Sequence, residues 1–418
     1  MIFAPPVSVV VVSRDRPEDL ARCVTGLTQL AYPEFEIVIV ADKPGLLRLD
    51  RMPAVFERTK RVRFDSANIS HARNLGIAQA AGEIIAFIDD DAVPEPLWLR
   101  HLVGPFSDAR VQSVGGAVLG RNGVALQWGP RCILPTGRCE AIDTPGMEPA
   151  IFAGRPGLGI KTEGTNMAFR RTTLAAIGGF DPAFRFYLDE SDLNLRLAGL
   201  GHGAALVPLA QVHHGFLESP RRRADRVPLD LTEIGASLVV FLKKHADSGE
   251  HEFAIHQERE DRRRALLRHM VAGRIEPGDV QAILSTFDTG LEVGRFRKIE
   301  PLPTLPAPVA RFRRFVWEDR PPGRHQFVSG RVWQRAKVKA QAASLALEGG
   351  SVTAFVLSPT MRPHKVSFTK SGYWLHRGGL FGKSLRDGPM FQLWRFKSRL
   401  NHEMSRLAAV RGGGAAPR

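Results

Sequence analysis

At 418 residues and 44% hydrophobic content, the chain has apolar mass for two or three cored domains, which excludes an intrinsically disordered protein. A formal charge of +15 implies attraction to something anionic: a nucleotide, a membrane surface, a nucleic acid or an acidic glycan. The three cysteines, Cys23, Cys132 and Cys139, lack the partners of a structural zinc site and read as reduced thiols. No basic leader precedes the first apolar stretch and no later apolar run reaches bilayer length, so a cytoplasmic chain is expected.

VSVVVVS, Val7 to Ser13, is a run of β-branched residues and predicts a buried strand. RPEDLARCVTGLTQL predicts a helix, with Pro17 in its first turn and Glu18 and Asp19 suited to its positive end. EIVIVAD predicts a second strand. ISHARNLGIAQAAG has helical spacing through Ile69, Ala72, Leu75 and Ala78 with a stop at Gly82, and IIAFI predicts a third strand. This alternation predicts a parallel sheet with crossover helices, where ligands sit beyond the carboxyl ends of the strands. Ser13, Asp42 and the run Asp89 to Asp91 fall at those ends.

From Val111 the chain is rich in Gly and Pro, and short strands and loops are expected that could shape an acceptor pocket. GTNMAFRRTTLAAIGGFDPAF predicts a strand and a short helix ended by Gly178 and Gly179. In RFYLDESDLNLRLAGLG, Leu193, Leu197 and Leu200 share a helical face while Asp189, Glu190 and Asp192 crowd the first turn. EIGASLVVFLKKH and IHQEREDRRRALLRHMVAG predict two further helices. Beyond Glu300, LPTLPAPVARFRRFVWEDRPPGRH reads as a linker, SVTAFVLSP and HKVSFTKSGYWLHRGGLFG as strands, and GGGAAPR as a disordered end. Three regions follow: an α/β domain over 1–225, a helical extension over 226–298, and a basic region over 299–418 with linker, short strands and a helix.

Three clusters could carry chemistry. In FIDDD, three adjacent carboxylates repel one another, and a hard divalent cation shared with phosphate oxygens would relieve that cost; a solvated Asx turn is the alternative. In LDESDLNLR, helix-dipole complementarity and an Asp192–Arg196 pair account for Asp192 but leave a spare carboxylate. The doubled His213 and His214 of VHHG could ligate a metal or be structural.

In order, VSVVVVSRDRPEDL, EIVIVAD, HARNLGIAQAAGEIIAFIDDDAVPEPLWL, GTNMAFRR, GGFDPAF, LDESDLNLRLAGLG and VHH followed by ESPRRR resemble a family 2 glycosyltransferase with the GT-A fold, over roughly residues 5 to 250. The resemblance implies an α/β, Rossmann-like mixed sheet flanked by helices, extended by the helical and basic C-terminal regions. It also implies inverting sugar transfer from a UDP-, GDP- or dTDP-linked donor with Mg²⁺ or Mn²⁺. Asp91 and Asp89 match its DxD element, Asp91 on the metal and Asp89 near the ribose or donor sugar as well as within metal reach. Asp90 between them is grouped with the donor-binding residues or bonds the local backbone. Asp42 matches the base-reading aspartate, with Ala41 where the family often has another Asp; Arg73 matches a basic donor-binding position and Ser13 the small residue ending the first strand. The catalytic base belongs to an acidic pair usually written Glu-Asp. Here it is Asp189-Glu190, so Glu190 takes the base's place by position and Asp189 stays open. His214 best matches the histidine completing the metal shell, with His213 close behind.

The implied acceptor is a glycan, a lipid-linked species or a protein, in cell-envelope or exopolysaccharide synthesis. The basic C-terminal region suggests peripheral docking on an anionic membrane at its inner face, and no module for nucleic acid is present. Rival readings are a catalytically silent scaffold on the same fold and a processive polysaccharide synthase. The latter rests on QLWRF, Gln392 to Phe396, which nearly matches Gln-x-x-Arg-Trp. A sugar-phosphate nucleotidyltransferase would need a Gly-rich loop that SRDRPED lacks.

Overall fold

Near-continuous apolar strands require cover on both faces, and the first hundred residues supply it. In a computed structural model of the chain, which describes residues 3–215, 218–316, 325–385 and 387–413, β1 (Val7–Ser13) leads through α1 (Pro17–Leu27) to β2 (Phe35–Ala41). Then come α2 (Lys43–Leu49), α3 (Pro53–Phe56), β3 (Lys60–Arg63), α4 (Ile69–Gln79) and β4 (Ile84–Asp89). β1 pairs in parallel with both β2 and β4, and β3 pairs in parallel with β2. The predicted alternation is therefore present, with α2 and β3 added in the loop that follows Asp42.

The chain continues through β5 (Ala92–Pro94), α5 (Trp98–Val103), β6 (Val111–Leu119), β7 (Arg131–Ile133), β8 (Cys139–Ala141), β9 (Ala150–Phe152) and β10 (Gly159–Ile160). β11 (Asn166–Arg170), α6 (Arg171–Ala176), α7 (Asp189–Gly199) and β12 (Gly203–His214) follow. The main sheet has the order β3-β2-β1-β4-β11-β6-β12-β5, with β9 on β12. It is mixed because β11 runs antiparallel to both β4 and β6. The expectation of loose structure from Val111 fails for β6, a nine-residue strand inside this sheet. Gly116 serves close approach there: a Cβ would lie 2.4 Å from both Ala210 O and Asn166 Nδ2. That Asn166 amide donates to Ala117 O and Ala210 O and accepts from Trp98 Nε1, tying β11 to its neighbours.

α8 (Thr232–His245), α9 (His251–Val271) and α10 (Pro277–Phe296) form a helical layer whose core joins Phe241 and Phe287 to Phe184 and Leu188 before α7. α10 falls in the span 226–298 expected to be helical, although no individual helix is predicted for it. The stretch read as a linker is instead a strap along the sheet domain. Leu305 N–H donates to Ala175 O, Val309 N–H to Ala78 O, Arg313 N–H to Glu36 Oε2 and Phe315 N–H to Phe35 O, and the Phe315 ring packs 5.5 Å from that of Phe35. Its prolines preclude a regular ladder, so its amides find acceptors singly, three backbone carbonyls and the Glu36 carboxylate; residues 317–324 of the same stretch lie outside the described residues.

The C-terminal region is a second α/β unit: β13 (Gln326–Arg331), α11 (Arg335–Leu347), β14 (Val352–Ser358), β15 (Lys365–Phe368), β16 (Trp374–Gly379) and α12 (Phe396–Arg411). The sheet order is β13-β14-β16-β15. Strand period sorts its core: Val352, Ala354 and Val356 cluster with Val338 and Ala342 of α11, while Phe355 and Leu357 cluster with Leu400, Leu407 and Val410 of α12. The terminal residues 414–418, expected to be disordered, lie outside the described residues. Among the described residues, no helix is long and apolar enough to cross a membrane.

Candidate active site

The short β5 strand decides where the acidic run meets the histidines. It begins directly after Asp91 and pairs antiparallel with the end of β12, Ala92 opposite His214 and Val93 opposite His213. Gly215 N–H donates to Asp91 O at 2.7 Å, closing the ladder. This register brings His214 Nε2 to 3.0 Å from Asp91 Oδ1. One ligand atom each from Asp89, Asp91 and His214 lie within 4.8 Å of one another. Two carboxylates and an imidazole suit a divalent cation that keeps other positions for phosphate oxygens, so the donor set fits Mg²⁺ or Mn²⁺. His214 Nδ1 lies 2.8 Å from Gln127 Oε1, which orients the ring. Neighbouring strand residues face opposite ways, so His213 does not join this group. Its Nε2 instead lies 2.8 Å from Glu95 Oε1.

Asp90 turns from the other two carboxylates. It accepts from Ser13 Oγ at 2.7 Å and Arg16 Nη1 at 3.2 Å, so its partners are side chains and not the local backbone. Burial, followed by the Asp91 and Asp89 charges, pushes its carboxyl up to about 7 against the pull of Arg16 and the Ser13 hydroxyl. Asp42 is the N-cap of α2: its Oδ1 accepts from Gly45 N–H at 3.0 Å and its Oδ2 from Asp15 N–H at 2.7 Å. It thereby fixes the loop after β1 and is not among the residues lining the cavity described below.

The second acidic group sits at the start of α7, where Tyr187 and Leu188 adopt left-handed φ values of 70° and 65°. Two such non-glycine residues in succession are strained and redirect the chain so that the first helical turn faces the site. Asp189 forms a buried ion pair with Arg73, whose Nη2 also lies 3.6 Å from Asp89 Oδ1 and donates to Gly164 O. Glu190 pairs with Lys161. Burial, then the neighbouring Glu190, raises the Asp189 carboxyl above the ordinary range in spite of Arg73. For Glu190 burial works upward too, but Lys161 and Arg73 outweigh it and hold the carboxyl below that range. Asp192 plays no part: its carboxylate, buried, is bound by Arg196 at 2.8 Å, Lys244 at 2.7 Å and His245 at 2.9 Å.

Both groups open onto one cavity of about 890 Å³, lined by Ser13, Arg73, Asp89 to Asp91, Asp189, Glu190 and His214. Lys161, Arg16, Thr165, Arg222 and Arg262 also line it and were not singled out from the sequence. Of these, Arg222 belongs to the quoted ESPRRR run and Thr165 to the quoted GTNMAFRR, whereas Lys161 sits in a stretch with no local signal. Thr165 Oγ1 donates to Asp89 Oδ2 at 2.6 Å. QLWRF lies in the C-terminal unit, where Trp394 packs 5.1 Å from the His402 ring, and none of its residues lines the cavity.

Residues 8–176 match the family model described as glycosyl transferase family 2. Among curated proteins the chain is similar to the O-antigen biosynthesis protein RfbC of Myxococcus xanthus, with 31% identity over 246 residues, 54% of this chain and 18% of the relative. It is also similar to glycosyltransferase AglE of Haloferax volcanii, with 31% identity over 120 residues, 27% of this chain and 40% of the relative. The matched regions thus span less than half the length of either relative. Among solved structures, a mannosyltransferase from Pyrobaculum calidifontis in complex with GDP-Man and Mn²⁺ aligns at 16% identity, covering 71% of this chain and 89% of that one with a TM-score of 0.44. The stretch that bears Asp42, Arg73 and the Asp89 to Asp91 run is thus the part of this chain that is similar to glycosyl transferase family 2.

Proposed function

We propose that the chain transfers a sugar from a nucleotide-diphosphate donor, UDP-, GDP- or dTDP-linked, to an acceptor hydroxyl with inversion, using Mg²⁺ or Mn²⁺. The observation that carries this reading is the presence, in the lining of one cavity, of both the Asp89, Asp91 and His214 cluster and the Asp189–Glu190 pair. A divalent cation bound by Asp89, Asp91 and His214 would stabilise negative charge growing on the departing diphosphate. Arg73 holds Asp189 and reaches toward Asp89, so one guanidinium spans the donor and acceptor sides.

Glu190 is the base in this reading, accepting the proton of the attacking hydroxyl. Its side chain is 17% exposed against 4% for Asp189, so of the two it is the carboxylate an acceptor can reach. Lys161 keeps it ionised and thus able to accept a proton. Asp189, fixed by Arg73, orients the pair. Ser13 and Arg16 hold Asp90 away from the cation cluster, and Asp42 shapes the loop beside the nucleotide.

The names of the relatives, an O-antigen biosynthesis protein and a glycosyltransferase, support a role in cell-envelope or exopolysaccharide glycan synthesis with a glycan, lipid-linked or protein acceptor. An anionic membrane surface is a further partner in this reading. In the C-terminal unit, Leu385, Met390, Phe391 and Leu393 are exposed beside exposed Arg395 and Lys397, an arrangement suited to the interface of an acidic bilayer. The domain limits 1–225, 226–298 and 299–418 are retained as the proposed functional division. Release of nucleoside diphosphate from a nucleotide sugar, dependent on added Mn²⁺, tests the reading. A silent scaffold would release none.

A further inference from the structure

β5, which follows Asp91, and β12, which ends in His214, are both gripped by the end of the C-terminal helix. Glu95, one residue beyond β5, accepts from Arg411 Nε at 2.6 Å through Oε2 and from Arg411 Nη2 at 2.7 Å through Oε1. The same Oε1 lies 2.8 Å from His213 Nε2 on β12. Arg411 Nη1 donates to Thr353 Oγ1 at 2.6 Å and lies 2.9 Å from His376 Nε2, anchoring the guanidinium in the C-terminal sheet. Backbone bonds follow the same path: Leu97 N–H donates to Val410 O and Glu95 N–H to Gln211 O. The Glu95 and Arg411 side chains are both buried.

We propose that Arg411 is a positioning residue for the cation site, acting through Glu95 and His213 on the register of β5 against β12. That register sets the approach of Asp91 to His214, since Ala92 follows the one and pairs with the other. A planar guanidinium bonded to both carboxylate oxygens fixes orientation as well as charge, which a lysine or an apolar side chain cannot do. A buried ion pair is a poor general stabiliser, because desolvation offsets most of its attraction. Its bidentate form here matches a demand for geometry. The C-terminal unit is then part of the cation site's support, although none of its described residues lines the cavity wall.

The inference rests on the assignment of Asp89, Asp91 and His214 to a cation, and its test separates the two. Mn²⁺ binding to the full chain is measured by electron paramagnetic resonance of the free ion, with circular dichroism verifying that each variant is folded. Arg411→Met and Arg411→Lys are expected to raise the Mn²⁺ Kd about tenfold to a hundredfold, the range found for outer partners of metal ligands. The control is Arg399→Met, which breaks another buried pair of the same helix, Arg399 with Glu403 at 3.0 Å, and leaves the Kd at the wild-type value. Should Arg411→Met fail to fold, the charge-neutral double variant Glu95→Gln/Arg411→Met carries the same expectation. Unchanged Mn²⁺ affinity in the Arg411 variants, or an equal loss in Arg399→Met, overturns the positioning role. A wild-type chain that binds no Mn²⁺ overturns the cation assignment itself and the positioning role with it.

Discussion

His214 Nε2 and Asp91 Oδ1 stand 3.0 Å apart at the end of a ladder formed by strands distant in sequence. Because Gln127 holds the other ring nitrogen at 2.8 Å, the imidazole is aimed before any cation arrives. Gln127→Leu should therefore weaken Mn²⁺ binding about tenfold to a hundredfold, and Asp91→Asn should weaken it more. Titration calorimetry distinguishes the two, and equal affinities in wild type and Asp91→Asn would contradict the assignment.

Removing a general base lowers turnover by about 10²–10⁴. Glu190→Gln should lose kcat on that scale with little change in the donor KM. If Glu190→Gln transfers at a near-normal rate while Asp189→Asn does not transfer at all, the base is Asp189.

Lys161 depresses the Glu190 carboxyl, so Lys161→Met should let it rise. The acid limb of kcat/KM would then shift to higher pH in the variant. An unshifted limb would mean that Glu190 does not govern it.

Burial raises the Glu95 carboxyl, but Arg411 and then His213 outweigh it and bring it from an ordinary 4.5 to about 2. A depressed carboxylate adds stability above its unfolded pKa and loses it as pH falls through the folded value. The wild-type chain should thus lose stability between pH 4.5 and about 2, and Glu95→Gln should flatten that slope. Denaturant unfolding followed by tryptophan fluorescence at stepped pH measures it. Identical slopes would remove Glu95 as the cause.

If the C-terminal loop docks on acidic lipid, the protein should float with phosphatidylglycerol-containing vesicles and not with phosphatidylcholine alone. Each basic side chain near such a surface contributes about 1 kcal/mol, so Arg395→Gln/Lys397→Gln should lower partitioning about thirtyfold. Equal flotation with both vesicle types would remove the membrane as a partner.

How much was legible depended on where each residue's partners lie. β1, α1, α4 and β4 were readable because periodicity, Pro17 and the acidic first turn are local signals. Asp89, Asp91 and His214 were readable as members of an ordered series. β6 was missed because its Gly115 and Gly116 look like breakers, whereas they admit Leu206 and Asn166 at close range. The strap ending at Phe315 reads as a linker because its bonding partners, Glu36 and Phe35, belong to the other end of the chain. Lys161, Glu95 and Arg411 were invisible for the same reason: each acquires its role only from a partner that folding brings beside it.

The most direct test is to incubate the full chain with a panel of UDP-, GDP- and dTDP-sugars and follow nucleoside diphosphate release with and without Mn²⁺. Release from at least one donor, stopped by EDTA and by Asp91→Asn, is the expected result. Release that EDTA leaves untouched, or none from any donor, would contradict cation-assisted glycosyl transfer at this site.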